Sequence, residues 1–190
     1  GYLRVFESGT LRSPRGISDV FETLTFRERY EALVEHAGRD GLTELLHRGR
    51  FDGLGEEAVA RNRRSGKPLS LLIIDVDHFK SVNDRFGHSE GDRILKTIAA
   101  LLAKTVGPDD KVFRIGGEEF AVICEYPHPL AKLLGESIRQ TVIATLGTGP
   151  IPCTVSVGVA TLDSTTRNLE DLFSAADRRL YAAKASGRDR

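Results

Sequence analysis

Acidic residues at the ends of two apolar segments are the first candidates for chemistry in this sequence. Asp75 lies where the apolar run of residues 69–76 ends, and Glu118 follows the dipeptide Gly116-Gly117. Burying a carboxylate in such a place costs free energy unless a cation or hydrogen-bond donors compensate the charge. If the two segments are neighbouring strands, Asp75 and Glu118 meet, and two carboxylates completed by phosphate oxygens and water are a common magnesium site. A structural role, in a cap or a surface turn, is the alternative interpretation of each acid.

The dipeptide Gly116-Gly117 also has two interpretations. As a tight hairpin turn it needs positive φ, which only glycine adopts without steric cost. As a phosphate site it lets a nucleotide approach the backbone, because no side chain is in the way. The dipeptide alone decides nothing, but here the acids Glu118 and Glu119 and the aromatic Phe120 follow it directly.

Composition is that of an ordinary globular protein. The 190 residues carry 27 lysines and arginines against 27 acidic residues, so a general attraction to nucleic acid or anionic lipid is excluded. A chain of this length buries a sizeable core without disulfides. Cys124 and Cys153 each lie in an apolar run and are interpreted as reduced core residues. No apolar run approaches the roughly 18 to 20 residues that span a bilayer, so no membrane contact is expected of this chain.

Hydrophobic periodicity predicts the elements that position these acids. Helical and strand patterns alternate, which predicts an α/β or α+β domain whose helices cover a sheet. The run of residues 69–76 is typical of a central strand that is buried on both faces. Helices are predicted at 51–65, 89–106, 129–146 and from Asn168 onward, and further strands at 112–115, 120–125 and 154–161.

Two details of these helices are specific enough to be checked in a structure. Ser89 with Asp92 makes a capping pattern at the start of the helix over 89–106. Leu130 and Leu133 belong to the apolar stripe of the helix over 129–146, so they are predicted to face the core.

The N-terminal residues 1–38 differ from the rest. Residues 1–16 mix Gly, Ser, Pro and Arg without a period, which suggests a loosely packed leader. Residues 18–37 have helical apolar spacing that Gly38 ends, and both a dimerising coiled coil and a helix packed on its own domain fit this pattern. The chain starts at Gly1 and contains no methionine, so we expect it to be part of a longer protein.

Several motifs together resemble one protein family. RIGGEEF, residues 114–120, is similar to the signature of the GGDEF diguanylate cyclase domains, and the resemblance covers about residues 39–190, with 1–38 as leader and linker helix. The other motifs follow in the family's order: Asp40-Gly41-Leu42-Thr43, Ile74-Asp75-Val76-Asp77-His78-Phe79-Lys80, Asn83-Asp84, Phe86-Gly87-His88, Gly91-Asp92, Ser156-Val157-Gly158, and the closing Ala176-Asp177, Leu180-Tyr181, Ala183-Lys184 and Gly187-Arg188.

The resemblance implies a fold and a reaction. The fold is a mostly antiparallel five-stranded sheet wrapped by helices, similar to the palm of nucleotidyl cyclases and polymerases. The reaction condenses two GTP into cyclic di-GMP and two pyrophosphates, in the cytoplasm, as the output of a bacterial signalling protein with an N-terminal sensory domain. Because one domain binds one GTP, we expect two domains to face each other in a homodimer.

By resemblance, the acids hold a metal and activate a hydroxyl. Asp75, the backbone carbonyl of Val76 and Glu118 would hold Mg²⁺ or Mn²⁺, with Glu119 adjacent to the metal. Glu118 is the candidate for accepting the proton of the attacking 3′-hydroxyl. Lys80 would contact phosphate as a flexible point charge. Without the motif, Lys80 would be interpreted as a solvated surface residue.

Substrate-binding positions also carry over from the resemblance. Asn83 and Asp92 match a guanine-reading pair, because a carboxylate accepts from N1–H and the 2-amino group while an amide donates to the base's acceptors. A local turn for Asn83 and a helix cap for Asp92 are the alternatives. The remaining substrate-binding positions are Phe79, His88, Gly116, Gly117, Lys184 and Arg188. Asp77 is interpreted as a structural residue of a turn or a helix cap.

The chain departs from the family pattern in three places: the opening motif, the closing motif and the inhibitory window. Glu44 stands where the opening motif commonly has Gly, and His47 where it commonly has Asn, which puts the local geometry there in question. Asp189 replaces the Asn of a closing Gly-Arg-Asn. The inhibitory Arg-x-x-Asp window has Gly107 in place of Arg but retains Asp110, so we predict weak or absent product inhibition through that site.

A second function class competes with the cyclase. A non-catalytic module that binds GTP or another nucleotide and acts through protein partners would carry many of the same motifs. The intact acidic signature, with no substitution at any metal, guanine or catalytic position, favours the enzyme.

Overall fold

The structure, a computed structural model, describes Glu28 and residues 37–190. The predicted leader and nearly all of the predicted helix over 18–37 lie outside the described residues. Residues 38–190 form one compact unit. None of the described helices is both long and apolar enough to cross a membrane.

Five strands and five helices alternate along the described part of the chain. In order they are β1 (Leu46–His47), α1 (Arg48–Ser65), β2 (Ser70–Val76), α2 (Phe79–Phe86), α3 (His88–Thr105), β3 (Lys111–Arg114), β4 (Glu119–Cys124), α4 (His128–Leu146), β5 (Val155–Thr161) and α5 (Leu169–Ala185). The predicted helices and strands are confirmed to within a few residues at their ends. The short elements β1 and α2 were not predicted.

The strands form one mixed sheet in the order β1-β3-β4-β2-β5. Only the β1–β3 pair is parallel, so the predicted mostly antiparallel five-stranded sheet is confirmed. β2 lies between β4 and β5, and its register sets Asp75 opposite Glu119 on one side and opposite Ser156 on the other. The central position of β2 explains why all seven of its residues are buried.

Helices cover both faces of the sheet. On one face, Leu72, Ile74 and Val76 belong to a core with Ile94, Ile98 and Leu102 of α3 and with Ile138 and Val142 of α4. On the other face, Leu71 and Ile73 belong to a core with Phe51 and Val59 of α1 and with Leu172 and Leu180 of α5. Because side chains alternate along a strand, Asp75 lies on the face that α5 covers.

Gly158 determines how closely α5 approaches the sheet. A Cβ at Gly158 would overlap the backbone carbonyl of Ala176 and would lie 2.5 Å from the backbone nitrogen of Leu180. Backbone cannot move aside as the end of a side chain can, so only glycine fits at this position in β5. The last turns of α5 are therefore brought directly over the end of the sheet that carries Asp75.

Two predicted details of the helices are wrong. Helix α3 begins at His88 after Gly87, which has φ 85° and offers no side chain, so Ser89 lies inside the helix and does not cap it. Leu130 and Leu133 on α4 are 51% and 65% exposed, because the helix turns only part of its predicted stripe towards the sheet. Cys124 and Cys153 are buried and free, as predicted.

Candidate active site

The acids singled out in the sequence lie together at one end of β2 and β4. Asp75 is only 5% exposed, and it stands opposite Glu119 across the β2–β4 pair. The backbone N–H of Val76 donates to the carbonyl oxygen of Glu118 at 3.2 Å, which holds the residue before β4 beside the end of β2. The expected meeting of Asp75 and Glu118 at neighbouring strand ends is what the structure shows.

A lysine from α5 compensates the buried acid. Lys184 Nζ lies 2.8 Å from Asp75 Oδ2, and the Lys184 side chain is about one third exposed. The close packing of α5 on Gly158 makes this contact possible, since it brings the last turn of the helix over the end of β2. Lys184 thus faces a group of three acids: Asp75, Glu118 and Glu119.

Burial raises the pKa values of two of these acids, Asp75 and Glu118. Burial raises the pKa of Asp75 above its usual range, and the Lys184 ammonium opposes this rise. Burial also raises the pKa of Glu118, and the neighbouring charge of Asp75 adds to the effect. Because burial disfavours the ionised form of both carboxyl groups, a bound cation would stabilise that form.

The donor set suits a hard divalent cation that keeps other ligands. Among the described residues no three His, Cys, Asp or Glu side chains form a ready-made metal cage. Asp75 and Glu118 supply oxygen donors only, and Mg²⁺ is usually bound by one or two carboxylates together with substrate phosphates. These residues therefore fit the magnesium that the sequence predicted, in the form of a site that nucleotide phosphates complete.

The glycine turn differs from expectation. Gly66, Gly87 and Gly187 are the glycines with positive φ in the described part of the chain, so Gly116-Gly117 is not favoured for that reason. A Cβ at Gly116 would instead lie 2.5 Å from Glu119 Oε2, whereas nothing lies within 4 Å of a Cβ at Gly117. The missing side chain at Gly116 thus leaves space for the Glu119 carboxylate, whereas the space beside Gly117 is empty.

Arg114 ties this turn to the start of the domain. Its guanidinium donates to the carbonyl oxygen of Gly117 at 2.7 Å and to Asp40 Oδ1 at 2.9 Å. Asp40 also accepts from the backbone N–H and the hydroxyl of Thr43. The sequence analysis names Arg114 and Asp40 only as members of family motifs, and their contact was not predicted. The signal available in the sequence was that a single residue separates Arg114 from the glycine turn; in the structure Arg114 is partly buried, unlike the exposed Lys111 at the other end of β3.

A second cluster lies where α2 meets α3. The Asn83 side chain occupies the space that a Cβ on Gly91 would need, and the Phe79 ring lies 3.1 Å from the same point. Asn83 Oδ1 is buried and has no hydrogen-bond partner. Asp92 follows Gly91 in α3 and is exposed. An amide, an aromatic ring and an exposed carboxylate thus come from neighbouring positions of α2 and α3, and such a set fits a ligand with several hydrogen-bonding groups.

The remaining predicted residues lie at the surface around these two clusters. Lys80 Nζ contacts Asp84 Oδ2 at 2.7 Å along α2, and its side chain is 86% exposed. His88 is exposed at the first position of α3. Arg188 Nε lies 4.0 Å from Asp77 Oδ1, next to the acid cluster.

The two departures in the opening motif have local explanations. Glu44 has φ 61°, a left-handed conformation that favours glycine, so a residue with a Cβ stands here at a steric cost. His47 is the N-cap of α1, where its Nδ1 accepts from the backbone N–H of Gly49 at 2.9 Å and of Arg50 at 3.4 Å. An imidazole thus takes the capping role for which Asn is well suited.

Asp110, the retained residue of the inhibitory window, makes its contacts with residues close to it. Its Oδ2 accepts from the backbone N–H of Gly107 at 2.8 Å. Its charge, with a hydrogen bond, raises the pKa of Tyr126. A Cβ at Gly107 would lie 2.9 Å from the Tyr126 hydroxyl oxygen. These contacts make the window a closed turn between α3 and β3.

Asp77 lies in the turn after β2, as one of its two predicted structural roles requires. It does not cap α2, whose N-cap is His78, and it is 4% exposed. It accepts hydrogen bonds from Thr154 and Ser156, at 2.7 and 2.8 Å. A second acid directly beyond a buried strand was the available signal, but its partners lie about 80 residues further along the chain.

The fold and the site define a class, and comparison with known proteins defines the family. A mostly antiparallel, helix-covered sheet with acids at the ends of two neighbouring central strands is a palm-like nucleotidyl cyclase domain. The family model described as "Diguanylate cyclase, GGDEF domain" matches residues 37–190. The chain belongs to the GGDEF domain family.

Individual relatives agree with this membership. Diguanylate cyclase DgcM of Escherichia coli (strain K12) is 37% identical over 173 residues, which cover 90% of this chain and 42% of DgcM. Diguanylate cyclase DgcS of Shewanella oneidensis is 37% identical over 161 residues, which cover 85% of this chain and 54% of DgcS. The chain thus spans about half, or less, of the length of these relatives.

A solved structure covers nearly the whole chain. The coiled coil and GGDEF domain of DgcB from Caulobacter crescentus, crystallised in complex with c-di-GMP, has a TM-score of 0.79 at 29% sequence identity. The similarity covers 99% of this chain and 96% of the DgcB chain.

Proposed function

We propose that this chain is an active diguanylate cyclase domain, which condenses two GTP into cyclic di-GMP and two pyrophosphates. The observation that carries the proposal is the group of Asp75, Glu118 and Glu119 at the ends of β2 and β4, faced by Lys184. Family membership and relatives named diguanylate cyclases support the same reaction.

In this proposal Asp75, Glu118 and the carbonyl oxygen of Val76 hold Mg²⁺ or Mn²⁺, with Glu119 beside them. Once bound, the ion would polarise the α-phosphate and neutralise the charge of the leaving pyrophosphate. Asp75 is suited to its part because β2 is the most deeply buried strand, so its carboxylate is held by rigid backbone on both sides.

Glu118 accepts the proton in each condensation step. The 3′-oxygen of one GTP forms a bond to the α-phosphorus of the other, the bond from that phosphorus to the bridging oxygen of pyrophosphate breaks, and the hydroxyl proton passes to the Glu118 carboxylate. Burial, with the charge of Asp75, raises the pKa of Glu118, which makes its carboxylate a stronger base than an ordinary one. The same step on the second GTP closes the ring.

The cluster between α2 and α3 binds the guanine. The Asn83 amide nitrogen donates to the acceptors of the base, and the Asp92 carboxylate accepts from N1–H and the 2-amino group. Phe79 supplies an apolar surface, and His88 lies at the start of α3 on the solvent side. These groups leave a base without the 2-amino donor with an unpaired carboxylate, so guanine is favoured over adenine.

Basic residues and the glycine turn bind the phosphates. Lys184 and Arg188 lie near the acids, while Lys80 extends from the first turn of α2. Gly116 and Gly117 allow phosphate oxygens to approach the turn without meeting a side chain. The ion pairs of Lys80 and Lys184 with carboxylates of the same chain are then exchanged for phosphate contacts.

Two domains have to face each other, because each binds one GTP and the product contains two. We propose a homodimer, with the segment before residue 38 setting its geometry under the control of a sensory domain outside this chain. The DgcB structure, which combines a coiled coil with the GGDEF domain, supports a helical segment in that role. The greater length of the curated relatives supports a further domain.

The decisive experiment incubates the purified chain with GTP and Mg²⁺ at two protein concentrations and separates the nucleotides by chromatography. Glu118→Gln is the test variant, and Glu56→Gln, at an exposed position of α1, is the matched control. Cyclic di-GMP from the unmodified chain and from Glu56→Gln, but not from Glu118→Gln, is expected. The yield should rise more than linearly with protein concentration.

A GTP titration by calorimetry on the same samples distinguishes the alternatives. If GTP binds but no product forms at any protein concentration, the domain is a nucleotide-binding module that acts through protein partners. If product forms in strict proportion to protein concentration after dilution, and deletion of residues 1–36 changes nothing, the homodimer proposal is wrong while the cyclase proposal stands.

A further inference from the structure

Two acids at the end of β2 each face a basic residue from the C-terminal part of the chain. Asp75 contacts Lys184 at 2.8 Å, and Asp77 lies 4.0 Å from Arg188. The proposed function accounts for Asp75. It assigns nothing to Asp77, although the Asp77 side chain is only 1% exposed. A carboxylate buried to that degree has to be compensated by specific partners.

The partners of Asp77 come from two separate segments. From the segment that leads into β5, the hydroxyl of Thr154 donates to Oδ2 at 2.7 Å, and from β5 itself the hydroxyl of Ser156 donates to Oδ1 at 2.8 Å. From the segment after α5, the backbone N–H of Asp189 donates to Oδ2 at 3.2 Å. Asp77 thus joins the end of β2 to the start of β5 and to the residues beyond α5.

Residues 187–190, which we call the strap, have a backbone that needs outside support. Gly187, Arg188 and Asp189 have φ values of 113°, 62° and 50°, so three successive residues are left-handed and two of them are not glycine. Such a conformation is unfavourable for residues with a Cβ and persists only where the surroundings impose it.

Two further contacts supply that support. The backbone N–H of Val157 in β5 donates to the carbonyl oxygen of Arg190 at 2.8 Å. Arg139 of α4 donates to Asp189 Oδ1 at 2.8 Å and is itself oriented by two hydrogen bonds to Glu136. The Asp189 that replaces the family's usual Asn is therefore one half of an ion pair. The strap is held by three parts of the fold: the end of β2, β5 and α4.

We propose that Asp77 is a positioning residue that docks the strap against β2 and β5 and thereby sets Arg188 for the phosphates of the nucleotide. This inference rests on the proposed function for the identity of the ligand. Arg188 lies inside the strap, and Lys184 lies one turn before it. Releasing the strap frees Arg188, although the residues that hold the strap do not touch the nucleotide, whereas Lys184 stays in place within α5.

The test compares two ways of releasing the strap with a matched control. Asp77→Ala removes the anchor near the acids, and Arg139→Gln weakens the anchor on α4. Asp163→Asn is the control, because Asp163 also accepts from the hydroxyls of two neighbours, Thr165 and Thr166, but at the opposite end of β5. GTP affinity is measured by calorimetry in the Glu118→Gln background, where no turnover is expected, and the Val157 amide is followed by hydrogen exchange.

Asp77→Ala and Arg139→Gln are each expected to expose the Val157 amide to exchange and to weaken GTP binding about tenfold, the size of a lost charge-assisted contact. Because both substitutions act through one segment, the double variant should bind GTP only slightly less tightly than the single variant with the lower affinity. In the active background KM for GTP should rise more than kcat falls. Asp163→Asn should match the unmodified protein in every readout.

Two results would overturn the proposal. Exposure of the Val157 amide with GTP affinity unchanged would mean that the strap is docked but positions nothing. Unchanged exchange in both variants would mean that Asp77 and Arg139 do not hold it. Arg139→Gln decides the matter if Asp77→Ala fails to fold. A chain that makes no cyclic di-GMP but loses GTP affinity in these variants would refute the proposed function and leave the strap proposal intact.

Discussion

Asn83 and Gly91 share one space at the junction of α2 and α3, and the side chain of the first fills the volume that a side chain on the second would need. The orientation of the proposed guanine contact therefore depends on a residue that itself makes no contact with the base. Glycine inside a helix lowers its stability, so its presence in α3 is explained by the packing of Asn83.

Gly91→Ala should weaken GTP binding and cyclase activity roughly tenfold to a hundredfold, because the Asn83 amide is pushed out of its position. Gly53→Ala is the matched control. Gly53 also lies within a helix, but a Cβ on Gly53 would have nothing within 4 Å, so this change should add about 0.5 to 1 kcal/mol of stability and leave activity unchanged. Calorimetric GTP titration and thermal melting test both. Equal effects of the two substitutions would contradict the role given to Gly91.

Glu44→Gly should stabilise the protein by about 1 kcal/mol, because Glu44 has a left-handed backbone conformation that is unfavourable for residues with a Cβ. Urea denaturation measures the change. Glu57→Gly, within the regular helix α1, should destabilise by about 1 kcal/mol and serves as the control. A loss of stability in both variants would show that the Glu44 side chain compensates its backbone strain.

His47→Ala should lower the free energy of unfolding by about 1 kcal/mol, since the N-terminal N–H groups of α1 lose their acceptor. His47→Asn should keep most of that stability, because the amide oxygen of Asn is an effective N-cap. The comparison uses the free energy of unfolding in urea for both variants. If Asn is as destabilising as Ala, His47 contributes through its other contacts rather than through the cap.

Glu118→Gln should raise the melting temperature of the metal-free protein at neutral pH while abolishing product formation. Burial, with the charge of Asp75, raises the pKa of Glu118, so the folded protein binds a proton there more tightly than the unfolded chain does. The stability contribution of such a group falls as pH rises from the unfolded pKa through the folded one. The difference between variant and unmodified protein should therefore shrink as the pH is lowered towards the usual pKa of a glutamic acid. Glu56→Gln should show no such trend.

Cyclic di-GMP at micromolar concentration should not inhibit the domain through the 107–110 window, and Asp110→Ala should leave the inhibition curve unchanged. Asp110 already accepts from the backbone of Gly107, and position 107 offers no guanidinium to bind a phosphate. Gly107→Arg alone should not create an inhibitory site, because a Cβ there meets the Tyr126 hydroxyl. If cyclic di-GMP inhibits the domain and Asp110→Ala removes that inhibition, the window is a working inhibitory site and the prediction is wrong.

The long elements could be predicted from the sequence because their patterns are local. The apolar run of β2 indicates a strand buried on both faces, and the Asn168 side chain caps α5 as expected. The short elements α2 and β1 could not be predicted, for physical reasons. Helix α2 has only eight residues and begins after His78 in a left-handed conformation, without a capping side chain. Strand β1 has two residues, and its pairing with β3 joins segments more than 60 residues apart.

The site was predictable as a set of acids and bases but not as a set of contacts. Asp75 and Glu118 could be brought together by assuming that their strands are neighbours. The link from Arg114 to Asp40, and those from Asp77 to Thr154 and Ser156, depend on the sheet order and on the exact register of β5. No local pattern contains that information.

The contact between α5 and Gly158 also limits how the domain can vary. The height of α5 above the sheet is set by backbone contact at Gly158 together with the packing of Leu172 and Leu180 on the sheet. The solvent side of α5, where Tyr181 is 74% exposed, can therefore change its surface chemistry without moving Lys184. The position of Lys184 therefore does not depend on the residues of the outward face, so the sequence of that face can vary while the active-site end of the helix stays the same.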